Sequence, residues 1–324
     1  MRIDHAGPIA VAILDDYQRA ALTFASWDRL PERVRVDTFA DHLADDKALI
    51  ARLRPYDVVI AMRERTPFTR SLIAALTNLK LLVTTGMKNA SIDLAACAEQ
   101  GVLVCGTGGM SSPTCELTWG LIIGLSRHIP SEDRGMRAGG WQTTVGTSLE
   151  GKTLGVVGLG RLGTRVARVG VAFDMNVMAW SPNLTDERAA QAGVERVDKA
   201  TLFARADIVT IHLVLSETTR GIVGQREFAA MAPTAILVNT SRGPIVDETA
   251  LVEALAGKRI AGAAIDVYDV EPLPVDHPLR SLERTVVTPH LGYVTAESYR
   301  IFYGDALDDV ERWLAGNPVR VLGR

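Results

Sequence analysis

Short apolar, β-rich runs alternate with longer amphipathic stretches along this chain, and the alternation comes in two successive series. That rhythm restricts the fold more than any single residue does. Two neighbouring parallel strands need a crossover of about a dozen residues or more, usually a helix, so repeated βα units encode parallel sheets flanked by helices. The first series reads residues 9–14, 57–62, 79–84 and 102–105 as strands, with helical stretches at 43–54 and 72–76 between them. The second reads 153–158, 176–180, 207–213, 236–239, 262–266 and 285–288. The expected fold class is α/β, with two doubly wound parallel-sheet domains and the cleft between them as the default ligand site. A chain of 324 residues agrees, because one core rarely serves so many.

The division between the domains is expected near Gly106-Thr-Gly-Gly109. A helix then begins at Pro113, with Ser112 as its N-cap, and runs through Glu116, Leu117, Trp119 and Ile122 toward His128. Residues 134–150 are Gly-rich, carry Trp141 and read as an arm or long loop. The tail, 296–315, has helical spacing and is expected to return to the first domain, because domain termini tend to meet. The expected domains are therefore 1–106 plus 297–324, and 107–296.

Composition excludes several classes. A hydrophobic content of 47% and a charged content of 23% are those of a soluble globular protein, and a net charge of −3 leaves no electrostatic footprint for nucleic acid. The apolar run at 9–14 ends in Asp15-Asp16, so no signal peptide is expected, and no segment approaches a membrane span. Cys97, Cys105 and Cys115 are odd in number and read as buried fillers in a reducing cytoplasm. No cluster has metal-ligand spacing, so no metal is expected.

Gly158-Leu-Gly160-Arg-Leu-Gly163 lies between a strand, 152–157, and a helix, 161–173. In that context Gly158 permits a tight turn, Gly160 lets a pyrophosphate approach, and Gly163 lets helix and strand pack closely. The helix then offers free amides to the phosphates. This makes 107–296 a Rossmann NAD(P)-binding domain and the other a flavodoxin-like substrate domain. An acidic residue is expected roughly 20 residues on, where it would hold the adenosine ribose. Ser181 stands there, followed by Pro182 and Asn183, with Arg188 the nearest basic residue downstream. The cofactor is therefore NAD or NADP, with a relaxed preference expected.

Three polar residues close three later apolar runs: Arg242 in Asn239-Thr-Ser-Arg-Gly243, Glu271 after the run ending at Asp266, and His290 after Val286-Val-Thr-Pro289. Strand ends in a doubly wound domain face the cofactor crevice. Guanidinium suits bidentate capture of a carboxylate. Imidazole can give a proton to a carbonyl oxygen and take it back, and a nearby carboxylate tunes it. Asp269 competes with Glu271 for that tuning role, and residue type alone does not choose between them. Asp266 can accept a hydrogen bond from the nicotinamide amide. The combination points to hydride transfer at a carbon beside a carboxylate. The partner is thus a small anionic 2-keto or 2-hydroxy acid.

The chain resembles the D-isomer-specific 2-hydroxyacid dehydrogenase family. The runs that carry the resemblance are Thr84-Thr-Gly86-Met-Lys-Asn89, Gly151-Lys-Thr-Leu-Gly-Val-Val-Gly-Leu-Gly-Arg-Leu-Gly163, Leu237-Val-Asn-Thr-Ser-Arg-Gly-Pro-Ile-Val-Asp247, Asp266-Val-Tyr-Asp-Val-Glu-Pro272 and Thr288-Pro-His-Leu-Gly292. The resemblance implies that Arg242 binds and polarises the substrate, that His290 is the acid/base, and that Glu271, not Asp269, is its partner. It implies cofactor contacts at Arg161, Leu162, Thr240, Arg242 and Asp266, in addition to Gly158, Gly160, Gly163 and Ser181 read from the glycine fingerprint. It also implies substrate contacts from backbone amides around Thr85, Gly86 and Met87, and a homodimer joined through the long helix and the 134–150 arm. Arg63, Met87, Lys88, Met110 and Tyr293 are candidates for sizing the substrate. Glu271 stands where the formate dehydrogenase branch has Gln, which argues against formate. No appended regulatory domain is expected. Some members of the family serve as dinucleotide sensors or corepressors, which is the alternative to an enzyme.

Overall fold

The computed structural model describes residues 7–323, so His5 lies outside the described residues. The chain divides into two compact units, Met1–Met110 with Val294–Arg324, and Ser111–Tyr293. The divisions fall after Met110 and Tyr293, against the expected 106 and 296.

The first unit is built on strands β1 (Ile9–Ile13), β2 (Val34–Thr38), β3 (Val58–Ala61), β4 (Leu81–Thr84) and β5 (Leu103–Gly106), in the order β2-β1-β3-β4-β5. All four pairings are parallel. Every residue of β3 and β4 is buried, as expected for strands covered by helices on both faces. Strand β2 escapes a search for apolar runs. It is a half-exposed edge strand, Val-Arg-Val-Asp-Thr, whose Arg35 pairs with Asp37 at 3.1 Å. The helix Ala296–Leu314 belongs to this unit and buries Phe302, Tyr303, Ala306, Val310 and Trp313. Arg320 ties the tail to that helix, 2.7 Å from Asp308 and 3.0 Å from the fully buried Asp309.

The second unit carries β6 (Thr153–Val157), β7 (Asn176–Trp180), β8 (Glu195–Arg196), β9 (Ile208–Ile211), β10 (Ile236–Asn239), β11 (Gly262–Ile265) and β12 (Thr285–Val287). Their order is β12-β11-β10-β9-β6-β7-β8, again parallel throughout. The strand order reverses at β6, which leads into the glycine turn, as in a dinucleotide fold. Strand β8 leaves no apolar signal in the sequence, since it is only two exposed residues long.

Two expectations about the long helix need correction. It spans Ser112–Ser126, and its N-cap is Ser111, which makes no side-chain capping bond; Ser112 is already helical. It also stops short of His128, whose φ of +54° breaks the chain before a second helix, Ile129–Arg137. The arm therefore begins after Arg137, because 134–137 are the last turn of that helix. Trp119, Ile122 and Leu125 pack the long helix against Leu154, Val156 and Val238.

Leu82 lies on β4, an inner strand of the first unit's sheet, fully buried in one cluster with Val59, Leu72 and Val104. Leu82→Ala is expected to lower the unfolding free energy by about 2–5 kcal/mol, read by urea unfolding. A loss under about 1 kcal/mol would show that this sheet is not the unit's core.

Candidate active site

Strand β6 runs directly into Gly158, whose φ of +106° is a region L side chains rarely adopt. A Cβ there would lie 2.7 Å from the His212 carbonyl. A Cβ on Gly163 would collide with the carbonyl oxygen of Gly158, so helix and turn touch without side chains between them. A Cβ on Gly160 would meet nothing within 4 Å, and the helix Arg161–Ala172 that follows has no side-chain cap. Its first amides therefore face an open surface. Arg161 is exposed and Leu162 half-buried in that first turn. Beside it His212 is buried, with Nε2 paired to Thr210 Oγ1 at 2.9 Å and Nδ1 without a partner among the described residues. Burial pulls its pKa down to about 3, so the ring is neutral. Open amides, a glycine cradle and an orphaned buried nitrogen fit a bound dinucleotide. Ser181 Oγ, at the end of β7, accepts the Leu159 N–H at 2.8 Å.

Arg242, Glu271 and His290 follow β10, β11 and β12, which are neighbours in the sheet. Strands about 4.8 Å apart necessarily bring their ends together. His290 Nδ1 lies 2.6 Å from Glu271 Oε2, and the Tyr268 N–H donates to Glu271 Oε1 at 3.0 Å. Both side chains of the pair are partly shielded, at 15% and 26% exposure. Burial alone would raise the Glu271 pKa. The His290 hydrogen bond and charge, the Tyr268 amide and the Arg242 charge outweigh burial and hold the carboxyl below its ordinary value.

Arg242 is presented by a braced turn. Asn239 Nδ2 donates to the Arg242 carbonyl at 3.0 Å, and Asn239 Oδ1 accepts the Ser241 N–H at 3.0 Å. Gly243 then packs on the carbonyl of Tyr268, where any Cβ would collide. That close approach sets the Arg242 turn against the loop carrying Glu271. Asp269 points elsewhere. Its pKa is raised by burial and by the neighbouring Glu248 and Asp247 charges, with Arg220 and His277 pulling the other way. His277 itself pairs with Glu248 at 3.0 Å.

Asp266 is fully buried, and its carboxylate is held by three donors. Oδ1 accepts from Thr288 Oγ1 at 2.6 Å and from the Leu291 N–H at 2.7 Å, while Oδ2 accepts the Gly292 N–H at 2.9 Å. Burial pushes its pKa up, and those three donors and the nearby His290 charge pull it back only in part. Thr240 is buried too, with its hydroxyl 2.9 Å from that of Thr118 on the long helix. Thr114 Oγ1 donates to the Gly292 carbonyl at 2.7 Å. The sequence singled out neither Thr114 nor Thr118; a polar residue within the apolar run of a buried helix was the available signal. Tyr293 stands edge-on to His290, with ring centroids 5.3 Å apart.

In the first unit, the amides named from sequence are mostly engaged. Thr85 N–H donates to the Ala61 carbonyl at 3.0 Å and Gly86 N–H to Thr107 Oγ1 at 2.8 Å, whereas Met87 N–H has no partner among the described residues. Arg63 donates to the Thr85 carbonyl at 3.0 Å, and its guanidinium occupies the space a Cβ on Gly86 would need. Met87, Lys88 and Met110 are exposed. No group of three or more metal-ligating side chains occurs among the described residues.

Residues 119–292 match the family model of the D-isomer specific 2-hydroxyacid dehydrogenase NAD binding domain. The chain is 38% identical over 275 residues to a D-3-phosphoglycerate dehydrogenase of Archaeoglobus fulgidus, covering 84% of this chain and 52% of that protein. It is 35% identical over 277 residues to a hydroxypyruvate reductase of Thermotoga maritima, covering 84% and 89%. A crystal structure of a phosphoglycerate oxidoreductase from Vibrio cholerae superposes with a TM-score of 0.90 at 38% identity, covering 95% of this chain and 99% of that one. The chain spans about half the length of the D-3-phosphoglycerate dehydrogenases it matches.

A carboxyl whose folded pKa lies below its unfolded value of 4.5 stabilises the fold above pH 4.5 and loses that contribution as pH falls through the folded value. Glu271→Gln should therefore flatten the acid side of the stability curve, between about pH 5 and pH 3, in urea unfolding at stepped pH. Equal acid slopes for both proteins would show that Glu271 is not held ionised by its neighbours.

Proposed function

The chain belongs to the D-isomer specific 2-hydroxyacid dehydrogenase family, and on that premise we propose that it interconverts a D-2-hydroxy acid and its 2-keto acid with NAD(H) or NADP(H). The observation that carries this reading is the 2.6 Å contact of His290 Nδ1 with Glu271, beside Arg242. Glu271 accepts a hydrogen bond from Nδ1–H, which leaves Nε2 to carry the exchanged proton. Arg242 binds the substrate carboxylate and polarises the carbonyl, which lowers the cost of charge building on its oxygen. His290 then protonates that oxygen during reduction and removes the proton during oxidation. A dinucleotide held at the Gly158–Gly163 turn would supply or accept the hydride. Asp266 acts on the reaction by fixing the turn that holds His290. In the first unit, we assign the 85–87 turn to substrate binding, with the Met87 amide as its available donor.

The relatives' names supply the substrate classes to test first, 3-phosphoglycerate and hydroxypyruvate. We further propose a homodimer. Ile129 and Met136 on the second helix, and Trp141 and Val145 on the arm, are 51%, 58%, 73% and 93% exposed, which is unusual for large apolar side chains so close in sequence. Three buried cysteines, none of them in a disulfide, suit a reducing cytoplasm, and no helix among the described residues is long and apolar enough to cross a membrane.

His290→Asn is expected to lower kcat by about 10²- to 10⁴-fold on each acid the parent turns over, assayed on glyoxylate, hydroxypyruvate, pyruvate, phenylpyruvate and D-3-phosphoglycerate. Retention of most turnover would remove His290 from the acid/base role. Dinucleotide binding with no turnover on any acid would favour a sensor instead. Trp141→Glu is expected to shift sedimentation from dimer to monomer; an unchanged dimer would place the interface elsewhere.

A further inference from the structure

Strand β5 lies at an edge of the first unit's sheet, and the segment that follows the helix Ala296–Leu314 covers it. The Leu322 N–H donates to the Val104 carbonyl at 2.8 Å and the Gly106 N–H to the Arg320 carbonyl at 3.0 Å, with Val321 opposite Cys105 in an antiparallel bridge. An uncovered edge would leave such backbone groups unpaired. Gly106, the last residue of β5, touches both this segment and the 85–87 turn. A Cβ on it would meet Leu322 Cδ1 at 3.3 Å, the Gly86 carbonyl oxygen at 2.7 Å and Met87 Cα at 3.2 Å. The missing side chain therefore lets the covering segment and the turn close on the same point of backbone.

Arg320 anchors the segment. Its φ of +49° is one that non-glycine residues rarely adopt, so the surroundings must hold it. Nη2 donates to the Asp305 carbonyl at 2.9 Å and to Asp308 Oδ2 at 2.7 Å, and Nε donates to Asp309 Oδ1 at 3.1 Å. Asp309 is fully buried, and its Oδ2 has no partner among the described residues. Asp305, one turn earlier on the helix, holds the chain beyond β5, because its Oδ2 accepts the Gly108 N–H at 2.7 Å. Between the two glycines Thr107 is buried. Its N–H donates to the Thr84 carbonyl at 3.1 Å, and its Oγ1 accepts the Gly86 N–H at 2.8 Å. A continuous path thus runs from the guanidinium to the turn: the Arg320 carbonyl holds Gly106, Gly106 carries Thr107, and Thr107 holds Gly86. All of it lies within the first unit.

We propose that Arg320 is a positioning residue for the substrate turn: by fixing 320–322 on β5 it sets the backbone of 106–108, and through Thr107 the placement of the Met87 amide. The proposal rests on the assignment of the 85–87 turn to substrate binding. None of these contacts is with a reacting group, so the effect falls on how well the acid is held. A turn that grips the acid alike in the ground state and the transition state changes KM and leaves kcat nearly alone.

Hydrogen exchange of the purified full chain, followed by mass spectrometry, tests the positioning, and steady-state kinetics on whichever of the five acids above the parent turns over best tests its consequence. In Arg320→Ala, exchange at residues 85–87 should quicken about 10-fold while β1 exchanges as in the parent. KM for the acid should rise about 10-fold with kcat within about twofold, and the Kd for NADH should not move. Arg320→Lys should restore part of both changes. Leu322→Ala should give a smaller change of the same kind, and it carries the test where circular dichroism shows Arg320→Ala unfolded. Unchanged exchange at 85–87, a rise spread evenly over the first unit, or a parental KM would overturn the proposal. Gly86→Ala tests the turn's assignment separately. A raised KM there beside a parental KM in Arg320→Ala would overturn the proposal alone. A parental KM in folded Gly86→Ala, or a parent inactive on all five acids, would overturn the assignment and the proposal with it.

Discussion

Asp266 is the constraint on which the reacting end of the second unit depends. A carboxylate with no solvent exposure is costly unless its oxygens are hydrogen-bonded, and this one has three donors. Two of them are backbone amides of Leu291 and Gly292, which come 25 and 26 residues later in the chain. The carboxylate thereby fixes the path of the chain on either side of His290, whose φ is +52°. Thr114 holds the same turn from the long helix by donating to the Gly292 carbonyl. An apolar side chain in place of Asp266 would strand the buried Gly292 N–H, at about 1–3 kcal/mol, take the acceptor from the part-buried Leu291 N–H, and free the turn. The imidazole can meet Glu271 at 2.6 Å because its backbone is held this way.

A parallel sheet makes such an assembly simple. Neighbouring strands end on the same edge, so three consecutive βα loops deliver Arg242, Glu271 and His290 to one place although they span almost fifty positions. Bringing the loops into contact takes special residues. Gly243 lets the Arg242 turn lie on the Tyr268 carbonyl, and the Tyr268 amide in turn steadies Glu271. Position, hydrogen bonding and charge therefore reach Glu271 from both adjoining loops. That explains why its carboxyl stays ionised despite burial.

The parts of this organisation that could be read from sequence are those written in contiguous residues. Buried parallel strands such as Ile236–Asn239 and Asn176–Trp180 are near-continuous apolar runs, and the glycine turn between a strand and a helix occupies six positions. Strand β2 was hidden because it sits on an edge, where Arg35 and Asp37 are tolerated. Polar residues at strand ends marked the reacting groups, yet Asp269 and Glu271 were equivalent by residue type. What separates them is direction, since Asp269 lies among the charges of Glu248, Asp247 and His277. The clamp formed by Asp266 was not legible either. Its donors are main-chain amides, which every residue possesses. The closeness of Arg188 to the glycine turn, where it donates to the Leu159 carbonyl, was hidden for a related reason: distance along the chain says nothing about a side chain that a helix turns back onto an earlier loop.

What is general in this site is separable from what is particular. In the proposed reaction Arg242, Glu271 and His290 act on the carboxylate and the carbon beside it, which all 2-hydroxy acids share, so they carry no information about the rest of the substrate. Discrimination has to reside in groups free of that task. In the first unit, Arg63 is a cation outside that trio. Its guanidinium lies where any Cβ on Gly86 would be, and it grips the Thr85 carbonyl at 3.0 Å. The glycine and the arginine are therefore one structural element, because a side chain at 86 would expel the guanidinium. Gly86 also takes φ +90°, which other residues rarely adopt. A cation held in place this way loses little conformational entropy when it meets an anion, unlike the exposed Lys88 nearby. Where the Arg63 charge sits is thus a matter of backbone shape at position 86.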